Sequence, residues 1–484
     1  MIRRLASVRE AGRVWIAAGI LFLFASAIWI PALDTPFWGD DYLFVSTAHA
    51  ASVARDPWWA AFWPQHPSQF WRPLAQESFW RLVDVLTGDD PRAAHVINLG
   101  LFVLAGIGVG ALGLVLARSC EWPNPLGTGA LGGLLYLTLA LNILPIHWVS
   151  AANSSILVIF TTICLALWMV AARVDSAFRF LLLGLIPILL TAALLSKESA
   201  ALTPILMLTI SFFVGANARP RGAEMVIWLV SCAIVAVWLV LRAKATSSAA
   251  PQYDLILGTN LIRNLASLGA WLLNIPREAL RMLVTGPVTP ALLWITAVAV
   301  PMLAVWSLAG NTLVQVIGRR QLVAAGAFVL FAYAPYLPLA WNSYAYYAAI
   351  APILPTLILA RGLVTSRFVV LAVILVGISS AISVQGTRML DHPGLIGRAR
   401  WAERALSKLE DEQISRPLLV HPADELRFYA IGAAGLAWRL GLDQQDVRVV
   451  DRCPDEVGNC LELDATGEWS WKAGRSRYSR DAGR

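Results

Sequence analysis

Long apolar segments are the feature of this sequence that most restricts its fold. Runs such as 14–32 and 93–117 approach or exceed the ~20 residues that an α-helix needs to cross the hydrocarbon core of a bilayer. Only 14% of the 484 residues are charged, against about 25% in soluble globular proteins. Because a membrane-spanning helix satisfies its own backbone hydrogen bonds, the sequence predicts an all-α polytopic membrane protein.

The first apolar run predicts a membrane span and not a signal peptide. It follows a basic start and extends from Val14 to about Leu33, and no small-x-small cleavage site comes after it. Ten further runs bring the predicted total to about eleven spans. The predicted spans are 14–32, 93–117, 126–143, 154–172, 179–195, 200–216, 225–242, 290–308, 322–340, 345–361 and 368–384.

Basic residues in the short loops predict the orientation of the chain. With the N-terminus inside, thirteen arginines fall in cytoplasmic segments, while the short outer loops hold only Lys197. The net charge of +7 is therefore attributed to loops beside anionic lipid headgroups, and no nucleic acid is expected as a partner. The odd number of spans places segment 385–484 outside, with the outer loops 34–92 and 243–289.

The tail is predicted to be a small α/β extramembrane domain, separate from a transmembrane domain at 1–384. Strand-like runs at Pro417–Val420 and Val447–Val450 flank a helical pattern. Cys453 and Cys460 also lie in this predicted outer segment. An outer compartment is oxidising, which favours a local disulfide, and a zinc site would need two further ligands.

An acidic pair, Asp40-Asp41, follows the first predicted span. A carboxylate placed there can act as a general base toward an acceptor hydroxyl, and its neighbour can orient it or bind a metal. The alternative is a solvated turn that caps a helix, because Gly-Asp is common in turns.

The same outer loop carries Arg72 between aromatic residues. A guanidinium binds phosphate oxyanions through paired donors. The alternative, which is favoured when this motif stands alone, is an interfacial aromatic belt with a snorkelling arginine. His95 and Asn98 share a face at the start of the second span, where we expect a structural role.

Three further polar groups are predicted to face the same compartment. His147 lies in a short outer loop, where a lone histidine more often packs than catalyses. Lys197 and Glu198 lie between two apolar runs, and they either pair with each other or face a donor phosphate. Asn342 and Tyr344 belong to a polar and aromatic cluster that suits the rim of a sugar site and is equally typical of an aromatic belt.

These residues form an ordered set. The set is Asp40-Asp41, then Trp71-Arg72-Pro73-Leu74, His95 with Asn98, His147, and Lys197-Glu198 followed by Pro204. In order and spacing over residues 30–210 it resembles the GT-C superfamily of polytopic glycosyltransferases, which are protein O-mannosyltransferase-like enzymes. That superfamily also includes the aminoarabinose lipid A transferases. The sequence is most similar to the transmembrane-and-TPR O-mannosyltransferase-like branch and its bacterial relatives, without the TPR array.

The resemblance implies a reaction and roles for the residues. The donor would be a sugar on a polyprenyl phosphate, and the acceptor a protein, lipid or glycan hydroxyl on the outer face of a bacterial inner membrane. Asp40 would be the base, and Asp41 would orient it or bind a divalent cation, Mg²⁺ or Mn²⁺. The lipid phosphate would be held by Arg72 and Lys197, with Arg242 or Lys244 as further candidates. Direct displacement would invert the anomeric centre.

Two other functions remain open from the sequence. A transporter or lipid flippase would place polar groups near the bilayer midplane and often shows paired halves. A non-catalytic scaffold of the GT-C fold would act through its tail. It is kept because the sequence has Trp148–Asn153 where the family has a loop glutamate, and no Arg-Tyr element near the later spans.

Overall fold

Helices dominate the computed structural model of the chain. The model describes residues 2–63, 70–174, 177–215, 220–246, 254–341, 344–390, 395–409, 414, 416–454, 460–464 and 466–471. Within these residues the helices are α1 Ile2–Trp29, α2 Asp40–Val53, α3 Phe79–Thr87, α4 Pro91–Ser119, α5 Pro125–Leu137, α6 Ile143–His147, α7 Asn153–Ala171, α8 Ala177–Leu194, α9 Thr203–Val214, α10 Gly222–Ala245, α11 Thr259–Leu272, α12 Arg277–Thr285, α13 Val288–Val316, α14 Arg319–Tyr333, α15 Ile353–Val364, α16 Val369–Met389, α17 Leu395–Ser407, α18 Glu425–Phe428 and α19 Gly432–Leu440.

Contacts divide the chain into two compact units. The first comprises residues 1–33, 57–79 and 94–387, and the second comprises 34–56, 80–93 and 388–484. The first unit is the helical bundle. One apolar core in it is built by α1, α5, α13, α15 and α16, with buried side chains such as Leu21, Leu135, Val305, Leu363 and Val373.

Seven helices within the described residues are long and apolar enough to cross a membrane, so the chain is a multi-pass membrane protein. The segments Pro125–Leu137 and Ala140–His147 add an eighth span if they count as one, although they are bent by 53°. The remaining three predicted spans correspond to the shorter helices Glu198–Val214, Arg319–Tyr333 and Ile353–Val364. Every predicted span thus corresponds to a helix, and three of these helices are shorter than a complete span.

Backbone breaks account for the difference in the number of spans. The run predicted as span 345–361 begins as a 3₁₀ turn at Ala345–Ala348, and α15 starts only after Pro352. Residues 345–354 are buried, which is the condition under which irregular backbone is tolerated at membrane depth. A hydropathy pattern reports the apolar run but not the break within it.

Glycines let α4 and α5 approach closely. A Cβ added to Gly129 would lie 2.6 Å from the backbone oxygen of Gly110, and one added to Gly110 would lie 3.0 Å from the oxygen of Gly129. Gly106 and Gly133 extend the contact one turn further along each helix. These pairs are the small-xxx-small arrangement by which membrane helices pack through van der Waals contact.

The second unit contains a four-stranded sheet of order β2-β1-β3-β4, with β1 Leu418–Pro422, β2 Val447–Val449, β3 Cys460–Leu463 and β4 Trp469–Trp471. β1 pairs in parallel with β2 and β3, and β3 pairs antiparallel with β4. The helices α18 and α19 lie between β1 and β2, as a parallel connection requires. The predicted α/β character of the tail is confirmed. Cys453 and Cys460 are joined in a disulfide.

The glycine contact yields a matched pair of substitutions. We expect Gly129→Ala to lower the free energy of unfolding by about 1–3 kcal/mol, because its methyl group meets a backbone oxygen that cannot move alone. Gly100→Ala, on α4 with no atom within 4 Å of the added carbon, should leave stability unchanged or slightly raised. Thermal unfolding in detergent measures both. Equal melting temperatures for the two variants would contradict close packing of α4 on α5.

Candidate functional site

The acidic pair begins α2 in the second unit. Gly39 precedes it with φ 58° and ψ −126°, a left-handed conformation that favours glycine. Its amide donates to the carbonyl oxygen of Ala430 at 2.8 Å. Asp40 and Asp41 are therefore the first two residues of a helix, where the unpaired amides and the helix dipole favour negative charge.

The two carboxylates have different surroundings. Asp41 is 0% exposed, and its Oδ2 accepts a hydrogen bond from the amide of Trp38 at 3.3 Å. Asp40 is half-buried, and its Oδ1 accepts a hydrogen bond from the Tyr429 hydroxyl at 2.9 Å. Asp41 thus stabilises the turn, whereas Asp40 is the acid of the pair that a solute can reach.

In the first unit, Arg72 and Glu198 form a paired contact. Arg72 Nε donates to both carboxylate oxygens at 3.0 Å, and its Nη2 donates to Oε2 at 2.7 Å. The side chains are 12% and 22% exposed. The ring of Phe70 lies 4.1 Å below the guanidinium carbon. A backbone bond from the Leu74 amide to the carbonyl of Leu195, 3.0 Å long, joins the two segments that carry the pair.

A second guanidinium approaches the same carboxylate. Arg242 Nη2 lies 3.6 Å from Glu198 Oε1, and the Arg242 side chain is 32% exposed. Its buried Nε has no hydrogen-bond partner among the described residues. Although burial alone would raise the pKa of Glu198, the charge and hydrogen bonds of Arg72, with the charge of Arg242, lower it below the usual range. Glu198 is therefore a carboxylate shared by two cations.

Lys197 is buried in the extended break between α8 and the 3₁₀ turn Glu198–Leu202. It is 2% exposed, and its Nζ donates to Ser154 Oγ at 2.6 Å. The ammonium lies 4.4 Å from the centre of the Tyr346 ring. Burial, and then the charge of Arg72, lower the pKa of Lys197 well below its ordinary value, against the opposing effect of Glu198. We name Arg72, Lys197, Glu198 and Arg242 the cation cluster.

Of the two arrangements open for Lys197 and Glu198, direct pairing is not found. Within the described ranges, no ion pair joins these chain neighbours, since Glu198 binds Arg72 and Arg242 while Lys197 binds Ser154. The cluster holds three cationic side chains, those of Arg72, Lys197 and Arg242, for one carboxylate. Such an excess of donors suits an added oxyanion.

The two histidines have partners in the chain. His95 Nδ1 lies 3.1 Å from the carbonyl oxygen of Ile146, and Asn98 Nδ2 donates to that of Pro145 at 2.7 Å, so both side chains bind the loop that carries His147. His147 is 0% exposed, with Nδ1 2.9 Å from the carbonyl oxygen of Ile143. These contacts agree with a structural role for His95 and Asn98, and contact of His147 with substrate stays a prediction.

Tyrosines extend the site beyond Lys197. Tyr344 lies against Tyr346 and Tyr347 with ring centres 5.4 and 5.5 Å apart, and the Arg277 guanidinium lies 5.3 Å from the Tyr344 ring. Asn342 falls outside the described residues. The outer aromatic cluster noted in the sequence thus contributes Tyr346 to the surroundings of Lys197.

The structure groups the predicted residues into two sets. Arg72, Lys197 and Glu198 come together in the first unit, where Arg242 joins them. Asp40 and Asp41 belong to the second unit, with Tyr429, which sequence reasoning missed because nothing in the sequence relates residues 389 positions apart. No group of three His, Cys, Asp or Glu side chains among the described residues is placed to hold a metal ion. Metal binding by the acidic pair stays a prediction.

Comparison with solved structures gives a likeness of fold. ArnT from Cupriavidus metallidurans bound to undecaprenyl phosphate has a TM-score of 0.51 at 13% identity, over 90% of each chain. The same protein in the apo state has a TM-score of 0.48 at 14% identity, over 92% of this chain and 87% of that one. No protein-family model and no curated protein matches the sequence. The first likeness shows that this chain shares the fold of ArnT, a polytopic helical fold as expected from the sequence.

Burial of Lys197 makes stability depend on pH. Because the pKa of Lys197 is lowered in the folded protein, the unfolded state binds this proton more tightly, and folding is penalised below the unfolded pKa of about 10.4. The free energy of unfolding should rise as the pH rises toward that value. We expect Lys197→Met, of similar volume, to raise the melting temperature at pH 7 and to reduce its rise with pH.

Thermal unfolding in detergent between pH 6 and pH 10 measures this effect. The matched control is Lys244→Met, which replaces an exposed lysine in the same unit and should keep the wild-type pH dependence. If the Lys197 and Lys244 variants have the same pH profile, the lowering of the Lys197 pKa by burial is contradicted.

Proposed function

We propose that this protein is a membrane glycosyltransferase, which moves a sugar from a polyprenyl-phosphate-linked donor to an acceptor hydroxyl on the outer face of a bacterial inner membrane. The observation that carries the proposal is the cation cluster. Its one carboxylate, Glu198, is already shared by Arg72 and Arg242, and Lys197 lies beside it without a carboxylate partner among the described residues.

A lipid-linked phosphate is the anion that best suits the cluster. Arg72 and Arg242 offer planar donor groups that match phosphate oxygens. A phosphate beside Lys197 would oppose the effects of burial and of Arg72, and would raise the pKa of that lysine. Phosphate binding and protonation of Lys197 would therefore stabilise each other.

The fold supports the same class of donor. ArnT, which shares the fold at a TM-score of 0.51, was solved with undecaprenyl phosphate bound. A polyprenyl phosphate presents an anionic head group at the membrane surface and an apolar chain to the bilayer. A multi-pass protein with a partly exposed cation cluster has the chemistry to bind the head group while the chain stays in lipid.

The reaction follows from the roles of the groups. The acceptor hydroxyl gives its proton to the Asp40 carboxylate as its oxygen attacks the anomeric carbon of the donor. The bond between that carbon and the phosphate oxygen breaks, and the electron pair leaves with the polyprenyl phosphate. Arg72, Arg242 and Lys197 stabilise the negative charge that develops on the phosphate. A single displacement of this kind inverts the anomeric configuration.

Asp40 is assigned as the base because of its accessibility. It is half-buried at the start of α2, whereas Asp41 is fully buried and accepts a hydrogen bond from the Trp38 amide. A base must reach the proton that it removes. Asp41 then acts by holding the turn that presents Asp40.

The test of this function is transfer by the purified protein with labelled polyprenyl-phosphate sugars and membrane acceptors from the source cells. We expect Asp40→Asn to lower the rate at least 100-fold, because a general base contributes about 10²–10⁴ in rate. The measured products are labelled acceptor and released polyprenyl phosphate, which separate a transferase from a hydrolase.

The matched control is Asp89→Asn, which makes the same change at an exposed acid of the second unit and should transfer at the wild-type rate. The proposal fails if Asp40→Asn and Asp89→Asn transfer equally well. Flipping of the lipid across proteoliposomes without sugar transfer would also contradict it and would favour a flippase.

A further inference from the structure

Tyr429 is a side chain of the tail that touches the acid assigned as the base. Its hydroxyl donates to Asp40 Oδ1 at 2.9 Å. The next residue, Ala430, accepts a hydrogen bond from the Gly39 amide at 2.8 Å. Two consecutive tail residues therefore hold this turn. Tyr429 binds the side chain of Asp40, and Ala430 binds the backbone of the preceding residue, Gly39.

The space beside Gly39 is shaped to the tyrosine ring. A Cβ added to Gly39 would lie 3.4 Å from Tyr429 Cε1, in a backbone conformation with φ 58° that already disfavours a side chain. Tyr429 is 41% exposed. Because its hydroxyl could bind water instead, burial does not force the hydrogen bond to the Asp40 carboxylate.

The position of Tyr429 is fixed by the short helix α18, which it directly follows. The amide of Tyr429 donates to the carbonyl of Glu425 at 3.0 Å, and Asp424 caps α18 by accepting from the Arg427 amide at 3.0 Å. The neighbouring Phe428 is 6% exposed and anchors the turn. The phenol is thus carried by a segment with few conformational alternatives.

A second contact holds the tail against α2. A Cβ added to Gly435 of α19 would lie 2.8 Å from Cδ2 of Tyr42, the residue that follows the acidic pair. Tyr42 is 1% exposed. Contacts before and after the acidic pair therefore fix the start of α2 relative to α18 and α19.

We propose that Tyr429 is a positioning residue for Asp40, so that the tail domain takes part in the transfer reaction by orienting the base. The inference rests on the proposed function. A hydroxyl that donates to one carboxylate oxygen restricts rotation of the Asp40 side chain and stabilises its ionised form. Orientation of a base within a fraction of an ångström is worth large factors in rate.

The experiment compares kcat and KM for transfer in the full-length protein. We expect Tyr429→Phe, which keeps the ring and removes the hydroxyl, to lower kcat about 10-fold or more while the donor KM stays within about twofold. A variant that merely loosened the fold would change KM or the amount of folded protein as well. Thermal unfolding of each variant reports the latter.

The matched control removes a different hydroxyl from the same unit. Ser52, also on α2, donates to Asp84 Oδ2 at 2.7 Å. Ser52→Ala thus loses one hydroxyl–carboxylate hydrogen bond on the same helix, and it should transfer at the wild-type rate. Equal kcat values for Tyr429→Phe and Ser52→Ala would overturn the proposal.

A double variant separates this inference from the proposed function. If Tyr429 acts through Asp40, Tyr429→Phe should have no further effect on the residual rate of Asp40→Asn. A full 10-fold additional loss would mean that Tyr429 acts elsewhere and would overturn its positioning role, with the function intact. A wild-type rate in Asp40→Asn would instead refute the base, and the role of Tyr429 would fall with it.

Discussion

The arrangement of the first unit depends on the sharing of the Glu198 carboxylate between two guanidiniums. Arg72 and Arg242 would repel each other, and both would repel a protonated Lys197, in surroundings that water screens only in part. Glu198 offsets this repulsion and aligns Arg72 through three hydrogen bonds. Because one carboxylate cannot neutralise every cation, the cluster keeps donors for another anion. This imbalance is the physical basis for a phosphate site.

The position of the cluster follows from interrupted helices. Lys197 has an extended backbone between α8 and a 3₁₀ turn, and Tyr346 lies in the buried turn that precedes α15. In uninterrupted helices, the side chains of Lys197 and Tyr346 would not meet in this way. The breaks shorten the helices below the length of a full span, and they are also the places where polar side chains meet inside the bundle. The features that reduce the number of complete spans therefore build the site.

Much of this architecture could be predicted from the sequence, and the missing parts have identifiable causes. Helices such as α4, α7 and α16 were predictable because an apolar run of sufficient length has few alternatives in a membrane. The breaks in α5–α6 and before α15 were not, because apolar residues fill them as they fill a span. The strands β1 and β2 were visible as strand-like runs at Pro417–Val420 and Val447–Val450, whereas β3 and β4 contain polar residues such as Glu462 and Ser470. Arg72, Lys197 and Glu198 stood out in the sequence as unusual. The sequence could not show that Glu198 pairs with Arg72, 126 positions earlier, and with Arg242, 44 positions later. The contact of Tyr429 with Asp40 was out of reach for the same reason.

Binding of a polyprenyl-phosphate lipid by the cation cluster can be tested by mass spectrometry of the lipids that co-purify with the protein. Arg72→Gln should be compared with Arg179→Gln, since Arg179 also pairs with a glutamate, Glu224, in the first unit. We expect a polyprenyl phosphate or its sugar derivative to co-purify with the wild type and with Arg179→Gln. The amount that co-purifies with Arg72→Gln should be about 10-fold lower. Equal amounts in all three proteins, or ordinary phospholipids alone in the wild type, would contradict it.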